Sequence, residues 1–382
     1  MDERLGTAAA AVRRAIDASG AGLVERESLV ETIALAAVAG EHLLVVGPPG
    51  TAKSEAVRRV ARATGGRYFE YLIGRFTEPS EIFGPVDLRK LREGVVETET
   101  RGMLPEAEVA FLDEIFLGST AILNTLLGIL NERVFRRGHT VHQCPLRLCV
   151  GASNALPDDE SLAAFADRFL VRVFVEPIAD PRIEELLEAG WAAAGASTAI
   201  ASIADLDLLS DAARQADLTL VRLQLAHAIR QLRGAGVQLT DRRAVKVQRL
   251  IAAAAVLDGR ADPGEGDLWP IIAAIPTREE QTVARECLRD LLSASRNATL
   301  PAATESASAG PAARALRLVR AGEELLSSRP AAGDPDLSGW QLKLEGIARE
   351  IDAGFAPEQM PEELQTVRKR ILQVAALREW SL

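Results

Sequence analysis

The stretch Leu43–Ser54, LLVVGPPGTAKS, constrains the fold of this chain more than any other. Leu43 to Gly47 reads as a short buried strand, apolar, β-branched at Val45 and Val46, and too short for a helix. It runs into Gly47-Pro48-Pro49-Gly50, a turn that neither helix nor strand tolerates. Lys53 to Val60 then has helical composition, with Val57 and Val60-Ala61 on one face. Strand, glycine turn, Lys-Ser and helix make a phosphate-binding loop. Gly47, Pro48, Pro49, Gly50, Thr51, Ala52, Lys53 and Ser54 would wrap a phosphate chain, using backbone N–H groups and the positive helix end. Lys53 adds a point charge at the β/γ-phosphates, and the Ser54 hydroxyl offers a Mg²⁺ ligand. The strict pattern has glycine directly before the lysine, where this chain has Ala52. A methyl group there narrows the approach to the β-phosphate and disfavours positive φ.

A second stretch, Glu108-Val109-Ala110-Phe111-Leu112-Asp113-Glu114-Ile115, is an apolar strand ending in two acids. Unpaired carboxylates at a buried strand end are costly, so they ask for a task. Beside a phosphate loop both find one: Asp113 in the Mg²⁺ shell and Glu114 polarising the attacking water. Leu146–Ala152 reads as another buried strand, ending at Ser153-Asn154. Ligands of open α/β sheets bind at the C-terminal strand ends, so Asn154 could hydrogen-bond the γ-phosphate or the water.

A chain of 382 residues is long for one core and implies two or three domains. Hydrophobic content of 48% with only 4% aromatic residues, and many alanines, suggests helix-rich packing. No apolar run reaches a membrane span, and Met1–Ser19 carries charges unlike a signal peptide, which leads to a cytoplasmic expectation. Cys144, Cys149 and Cys287 are odd in number and lack metal-ligand spacing, as expected of core thiols in a reducing compartment. His139 and His142 have no accompanying ligand cluster and read as solvated. A net charge of −10 argues against non-specific nucleic-acid binding.

Helices are expected over Arg4–Ala18 and Ser28–Ala39. The break between them, Gly22 to Arg26, lies just upstream of the phosphate loop; Leu23 and Val24 there would close over adenine, unless it is a plain helix–helix loop. Tyr68–Leu72 is a strand and Thr120–Glu132 a helix. Two hairpins are expected, one pairing Leu88–Arg92 with Val95–Thr100, the other over Val134–Val141. Beyond Pro181 helical spacing prevails, in Arg182–Ala193, Ala204–Ala216, Val221–Leu232, Asp241–Leu257 with Thr240 as N-cap, and Arg278–Ser293. Asn297–Pro311 is Ala/Ser/Thr/Pro-rich and reads as a linker. Ala312–Ser327, Gly339–Asp352 and Glu362–Glu379 are amphipathic, the last with Leu364, Val367, Ile371, Val374 and Leu377 in one stripe. The expected division is therefore residues 1–190 as an αβα nucleotide-binding core, 191–297 as an all-α lid, 298–311 as linker and 312–382 as a helical bundle. Truncation at Ala302 should then leave a folded core.

Taken together, GPPGTAKS, VAFLDEI, GASN, ADRF and LTDRRAVKVQRLIAAAAVLDGR resemble the MoxR branch of AAA+ ATPases, its RavA subgroup in particular. LLGILNERVFRRG and GMLPEAEVAFLDEI are similar to the same subgroup, which tolerates alanine at the position of Ala52. The resemblance runs from about Gly22 to about Gly259. It implies a P-loop αβα sandwich followed by an all-α lid, with Mg²⁺-ATP between core and lid. It makes Asn154 the sensor-1 residue, Arg168 an arginine finger acting on a neighbour's site, and Arg242 the sensor-2 arginine, with Arg243 as competitor. The two hairpins would match the helix-2 and pre-sensor-1 inserts. It further implies a homo-oligomeric ring, hexameric in the family, that hydrolyses ATP to remodel a protein client such as one with a von Willebrand A domain. RavA-type proteins insert a β-rich domain in the C-terminal bundle; here Ser328–Ser338 is a short loop, so contacts of that insert are not carried over.

Two other classes compete. A nucleic-acid motor needs a basic pore, for which Arg133, Arg136 and Arg137 are the local candidates. A nucleotide-gated scaffold without turnover has no need of the Asp113-Glu114 pair. On its own residues alone, Arg168 would pair with Asp167 or solvent.

Overall fold

Among the described residues seven strands form two sheets: β1 (Leu43–Val46), β2 (Tyr68–Leu72), β3 (Val109–Asp113), β4 (Val134–Arg137), β5 (Thr140–Gln143), β6 (Leu148–Ser153) and β7 (Val171–Phe174). The computed structural model describes residues 3–178, 182–192, 199–309, 311–330, 337–355 and 360–376. The main sheet is parallel throughout, in the order β2-β3-β6-β1-β7, with Leu43 opposite both Val150 and Val171. Parallel strands need crossovers that cover both faces, and alternate side chains here enter two cores. Leu43, Val45, Val109 and Phe111 face one apolar cluster, while Leu44, Val46, Ala110 and Leu112 face the other.

The core helices are α1 (Glu3–Gly20), α2 (Glu27–Ala39), α3 (Lys53–Ala63), α4 (Pro79–Phe83), α5 (Leu88–Arg92), α6 (Thr120–Glu132) and α7 (Glu160–Ala166). They are followed by α8 (Ile183–Ala192), α9 (Ile203–Gln215), α10 (Thr219–Gly234), α11 (Asp241–Leu257), α12 (Pro270–Ala273), α13 (Arg278–Cys287) and α14 (Arg289–Leu292). The chain continues through α15 (Pro301–Ser308), α16 (Pro311–Ser327), α17 (Leu337–Gly354) and α18 (Glu362–Ala376). Thr240 caps α11 as expected, its hydroxyl accepting from the Arg243 N–H. Helices α9 and α11 pack against α1 and α2, so the helical lid shares one apolar cluster with the sheet's first face. A smaller cluster of Leu318, Trp340, Leu344, Ile351, Leu364, Val367 and Ile371 joins α16, α17 and α18. Leu377, the ends of the expected helices at Ala193 and Glu379, and part of the Ser328–Ser338 loop lie outside the described residues. Cys144 and Cys149 are buried and free, burial pushing their thiols up to about 11 and about 12. Among the described residues no helix is long and apolar enough to cross a membrane.

Two expectations are corrected. Leu88–Arg92 is not a hairpin strand but helix α5, because the Asp87 carboxylate accepts from the N–H groups of Arg89 and Lys90 and caps a helical turn. Only Val86 and Thr98 pair across this excursion, as an antiparallel bridge. The second hairpin, β4–β5, is present, and its turn docks on the first excursion through the His139 N–H to the Val96 carbonyl, at 3.1 Å.

The second correction concerns the expected linker, 298–311: within it residues 301–308 form a packed helix. Pro301 opens α15, and Ala303, Thr304, Ala307 and Ser308 are buried. Small side chains let α15 lie close to α2, whose residues Leu29 to Ala39 are all buried. The Glu31 carboxylate, pushed well above its usual range by burial, accepts from the Ala303 N–H at 2.7 Å. Alanine and serine here serve close packing rather than flexibility. Truncation at Ala302 is therefore expected to uncover α2 and orphan Glu31, costing at least about 2 kcal/mol. A thermal midpoint equal to that of the full chain would contradict this packing.

Candidate nucleotide-binding site

The C-terminal ends of three adjacent strands, β3, β6 and β1, carry the acids, Asn154 and the phosphate loop respectively. Gly47 is required at the start of the loop: a Cβ there would stand 2.3 Å from the Val175 carbonyl oxygen. Gly50, at φ +78°, faces open space where a side chain would otherwise stand. Ala52 adopts φ +59° and precedes α3, so the chain takes the left-handed conformation without glycine, at a cost of about 1 kcal/mol. Lys53 is 7% exposed, and its ammonium donates to the carbonyls of Gly47 (2.6 Å) and Pro48 (2.9 Å). Burial pulls the Lys53 pKa below its ordinary value, and the charges of Asp113 and Glu114 oppose that shift. The loop lysine and the strand-end acids thus share one crevice.

Glu114 also has a left-handed backbone, φ +49°, and its Oε1 accepts from the Asn154 amide at 2.7 Å. Asp113 Oδ1 accepts from the Glu114 N–H at 3.0 Å. The expected triple of Lys53, Asp113-Glu114 and Asn154 is therefore brought together. The site's residues fit a polyphosphate and a divalent cation. Helix α3 begins with no side-chain cap, so its first N–H groups keep their donors free for an anion. Ser54 and Asp113 supply the hard oxygen donors that Mg²⁺ prefers.

Arg26 has a role that the sequence reading did not assign. Buried beneath the loop, its Nε donates to the Thr51 carbonyl at 2.9 Å and its Nη2 to the Glu176 carbonyl at 2.7 Å. The signal was an arginine in the break before α2, a segment already suspected of touching the site. Leu23 and Val24, in the same break, are buried just before this clamp.

The arginines lie elsewhere. Arg168 precedes β7, whose first residue, Val171, donates its N–H to the carbonyl of His42. Arg242 hydrogen-bonds the Asn131 side chain at 2.7 Å, next to Leu130, whose carbonyl contacts the His42 ring. His42 leads into β1, and Lys53 follows its far end, so both arginines stand at the opposite edge of the sheet, roughly 10 Å or more away. Arg242 thus stands at the strand ends opposite the phosphate loop. The reason is the docking of α11 at the base of the sheet, where Glu41, buried, pairs with Lys246 and with Arg249 at 3.2 Å. Burial, then the nearby Arg168 charge, pulls the Arg242 guanidinium below its usual value.

Arg243 is excluded as a competitor. It is 1% exposed and locked to the Asp167 carboxylate (2.6 Å) and the carbonyls of Ala274 (2.7 Å), Leu170 (2.9 Å) and Phe169 (3.0 Å). Asp167 is therefore taken, and Arg168 has no carboxylate partner among the described residues; its Nε is buried without a hydrogen bond. Arg243→Ala is expected to lower stability by about 3–5 kcal/mol, the scale for breaking a buried pair, while Arg242→Ala leaves it nearly unchanged. Equal thermal midpoints for the two variants would contradict that division of labour.

Comparison with known proteins agrees with this geometry. A family model described as the MoxR domain in the MoxR-vWA-beta-propeller ternary systems matches residues 10–211. Two uncharacterized proteins of Methanocaldococcus jannaschii, MJ0812 and MJ0079, are 34% and 35% identical over 247 residues, which is 64% of this chain. The match spans 66% and 64% of the length of those relatives. Chaperone MoxR1 of Mycobacterium tuberculosis is 28% identical over 157 residues, 40% of this chain and 41% of that protein. A crystal structure from Cytophaga hutchinsonii, provisionally described as an ATPase, has the same fold at a TM-score of 0.63 and 15% identity, covering 78% of this chain and 97% of its own. With the parallel sheet, the phosphate loop and the strand-end acids in place, the family match over residues 10–211 makes this chain a member of the MoxR family of AAA+ ATPases.

Proposed function

We propose that the protein is a Mg²⁺-dependent ATP hydrolase of RavA-like type that works in the cytoplasm as a ring, a hexamer, and remodels a protein client. The observation that carries this reading is the split site. Lys53, Asp113, Glu114 and Asn154 converge at one end of the strands, while Arg168, free of a carboxylate among the described residues, and Arg242 stand at the other. A cation at the far edge does not reach its own γ-phosphate, but in a ring it faces the neighbour's. In this reading residues 1–190 are the nucleotide-binding core, 191–297 the lid and 312–382 the bundle. Leu23 and Val24 flank adenine beside the Arg26 clamp. The von Willebrand A domain is our choice of client because the matched family model is described from MoxR-vWA systems.

The chain's own groups divide the work. Lys53 exchanges the carbonyls of Gly47 and Pro48 for phosphate oxygens, and the N–H groups opening α3 hold the same oxygens. Asn154 holds the Glu114 carboxylate in place until water and the γ-phosphate arrive; Glu114 then orients that water for in-line attack. Ser54 and Asp113 would hold Mg²⁺, which when bound neutralises phosphate charge. Arg168 and Arg242 of the adjacent subunit supply fixed positive charge for the transferred phosphoryl, a role suited to a guanidinium that never deprotonates.

The test is phosphate release from ATP with Mg²⁺ or with chelator, together with molar mass by light scattering with and without nucleotide. Metal-dependent turnover and a multi-subunit mass are expected. Turnover no greater than that of a Lys53→Ala preparation would overturn the reading.

A further inference from the structure

A second cavity, of about 400 Å³, opens between the edge strand β7, the start of α2, and helices α12, α13 and α15. None of residues 47–54, and neither acid of the Asp113-Glu114 pair, lines it. Four arginines do: Arg26, Arg172, Arg278 and Arg285. The two carboxylates on its wall, Glu25 and Glu176, are already engaged, Glu176 with Arg278 and Glu25 with Arg182 at 3.8 Å. Arg26, Arg172 and Arg285 form no ion pair among the described residues and donate only to neutral acceptors. Arg172 is the most exposed to this imbalance in energetic terms, being 4% accessible on a strand whose neighbours are apolar. Its Nη2 donates to the Ala166 carbonyl at 2.5 Å, but Nε and Nη1 have no partner among the described residues. The indole Nε1 of Trp269, 1% accessible on the facing wall, is unpartnered as well. Burial, then the Arg243 charge, pulls the Arg172 guanidinium down to about 9.

Leaving a charged donor buried and unsatisfied is among the costlier things a fold can do, and Arg172 is so placed beside two further guanidinium groups that form no ion pair among the described residues. A bound anion removes both penalties. We propose that this cavity is a binding site for a small phosphate-bearing anion, separate from the phosphate loop, held by Arg172, Arg285 and Arg26 with the Trp269 N–H. Guanidinium forks match tetrahedral phosphate oxygens in pairs, which favours phosphate over a monovalent halide. Arg26 joins this site to the other, since the same guanidinium holds the Thr51 carbonyl of the loop.

The test uses the full chain carrying Lys53→Ala, which weakens the phosphate loop, and inorganic pyrophosphate as probe. Calorimetry at fixed ionic strength is expected to show saturable binding at a single site, with a matching rise in thermal midpoint. Adding Arg285→Gln should weaken that binding about tenfold or more, the worth of one charge-assisted hydrogen-bonding group, without lowering the ligand-free midpoint. Arg172→Met should abolish it; if that variant does not fold, the Arg285→Gln arm decides. No binding to Lys53→Ala protein, binding indifferent to Arg285→Gln, or an effect reproduced by sodium chloride at the same ionic strength would overturn the proposal.

Discussion

Lys53→Ala is expected to weaken nucleotide binding by about tenfold to a hundredfold or more, the scale of a charge-assisted hydrogen bond to phosphate. The lost bond is only part of the effect. Asp113 and Glu114 act electrostatically on the Lys53 ammonium, so its removal leaves two carboxylates facing an incoming polyphosphate with nothing between them. The fold itself should lose little, about 1 kcal/mol, because the Gly47 carbonyl loses its donor while the Pro48 carbonyl still accepts from the Thr51 hydroxyl. Calorimetric titration with ATP measures the effect, and unchanged affinity would remove the phosphate loop from the account.

Glu114→Gln separates binding from chemistry. The glutamine amide keeps an oxygen that can accept from Asn154, so the hydrogen bond seen at 2.7 Å can persist. What disappears is the negative charge proposed to orient and polarise water. Turnover is expected to fall about a hundredfold or more, while ATP binds as well as before or better, since one repelling charge is gone. Near-normal turnover would move the catalytic base to another residue.

Much of this site could be read in the residues because its chemistry is local. A glycine turn before a Lys-Ser helix, and acids closing an apolar strand, are patterns set by a dozen consecutive residues, and the sheet order then brings them to one crevice. Thr120–Glu132 and Asp241–Leu257 were legible to the residue for the same reason, with Ser119 and Thr240 capping them. What depended on tertiary packing was not. Asp241-Arg242-Arg243 looks like two interchangeable cations, yet one helical step sends Arg243 into the core against Asp167 and Arg242 outward to Asn131. The Ala/Ser-rich segment before α16 read as a linker because composition cannot tell a flexible stretch from a small-residue helix pressed on a neighbour. A clue existed: α2 is apolar on every side from Ile33 to Ala39, so a second layer had to cover it. Arg172 held a clue too, as a lone charge inside the apolar strand Val171–Phe174.

The central claim is that the site is completed by a neighbouring subunit, and complementation between two inactive variants tests it most directly. Arg168→Ala protein keeps Lys53 and should bind ATP while hydrolysing little; Lys53→Ala protein keeps Arg168 and should bind ATP weakly and hydrolyse little. When the two are mixed and allowed to exchange subunits, some interfaces join an intact Lys53 site to an intact Arg168. The phosphate-release rate of the mixture is then predicted to rise above the sum of the two separate preparations. A rate no greater than that sum, in a mixture shown by labelled subunits to have exchanged, would contradict the account.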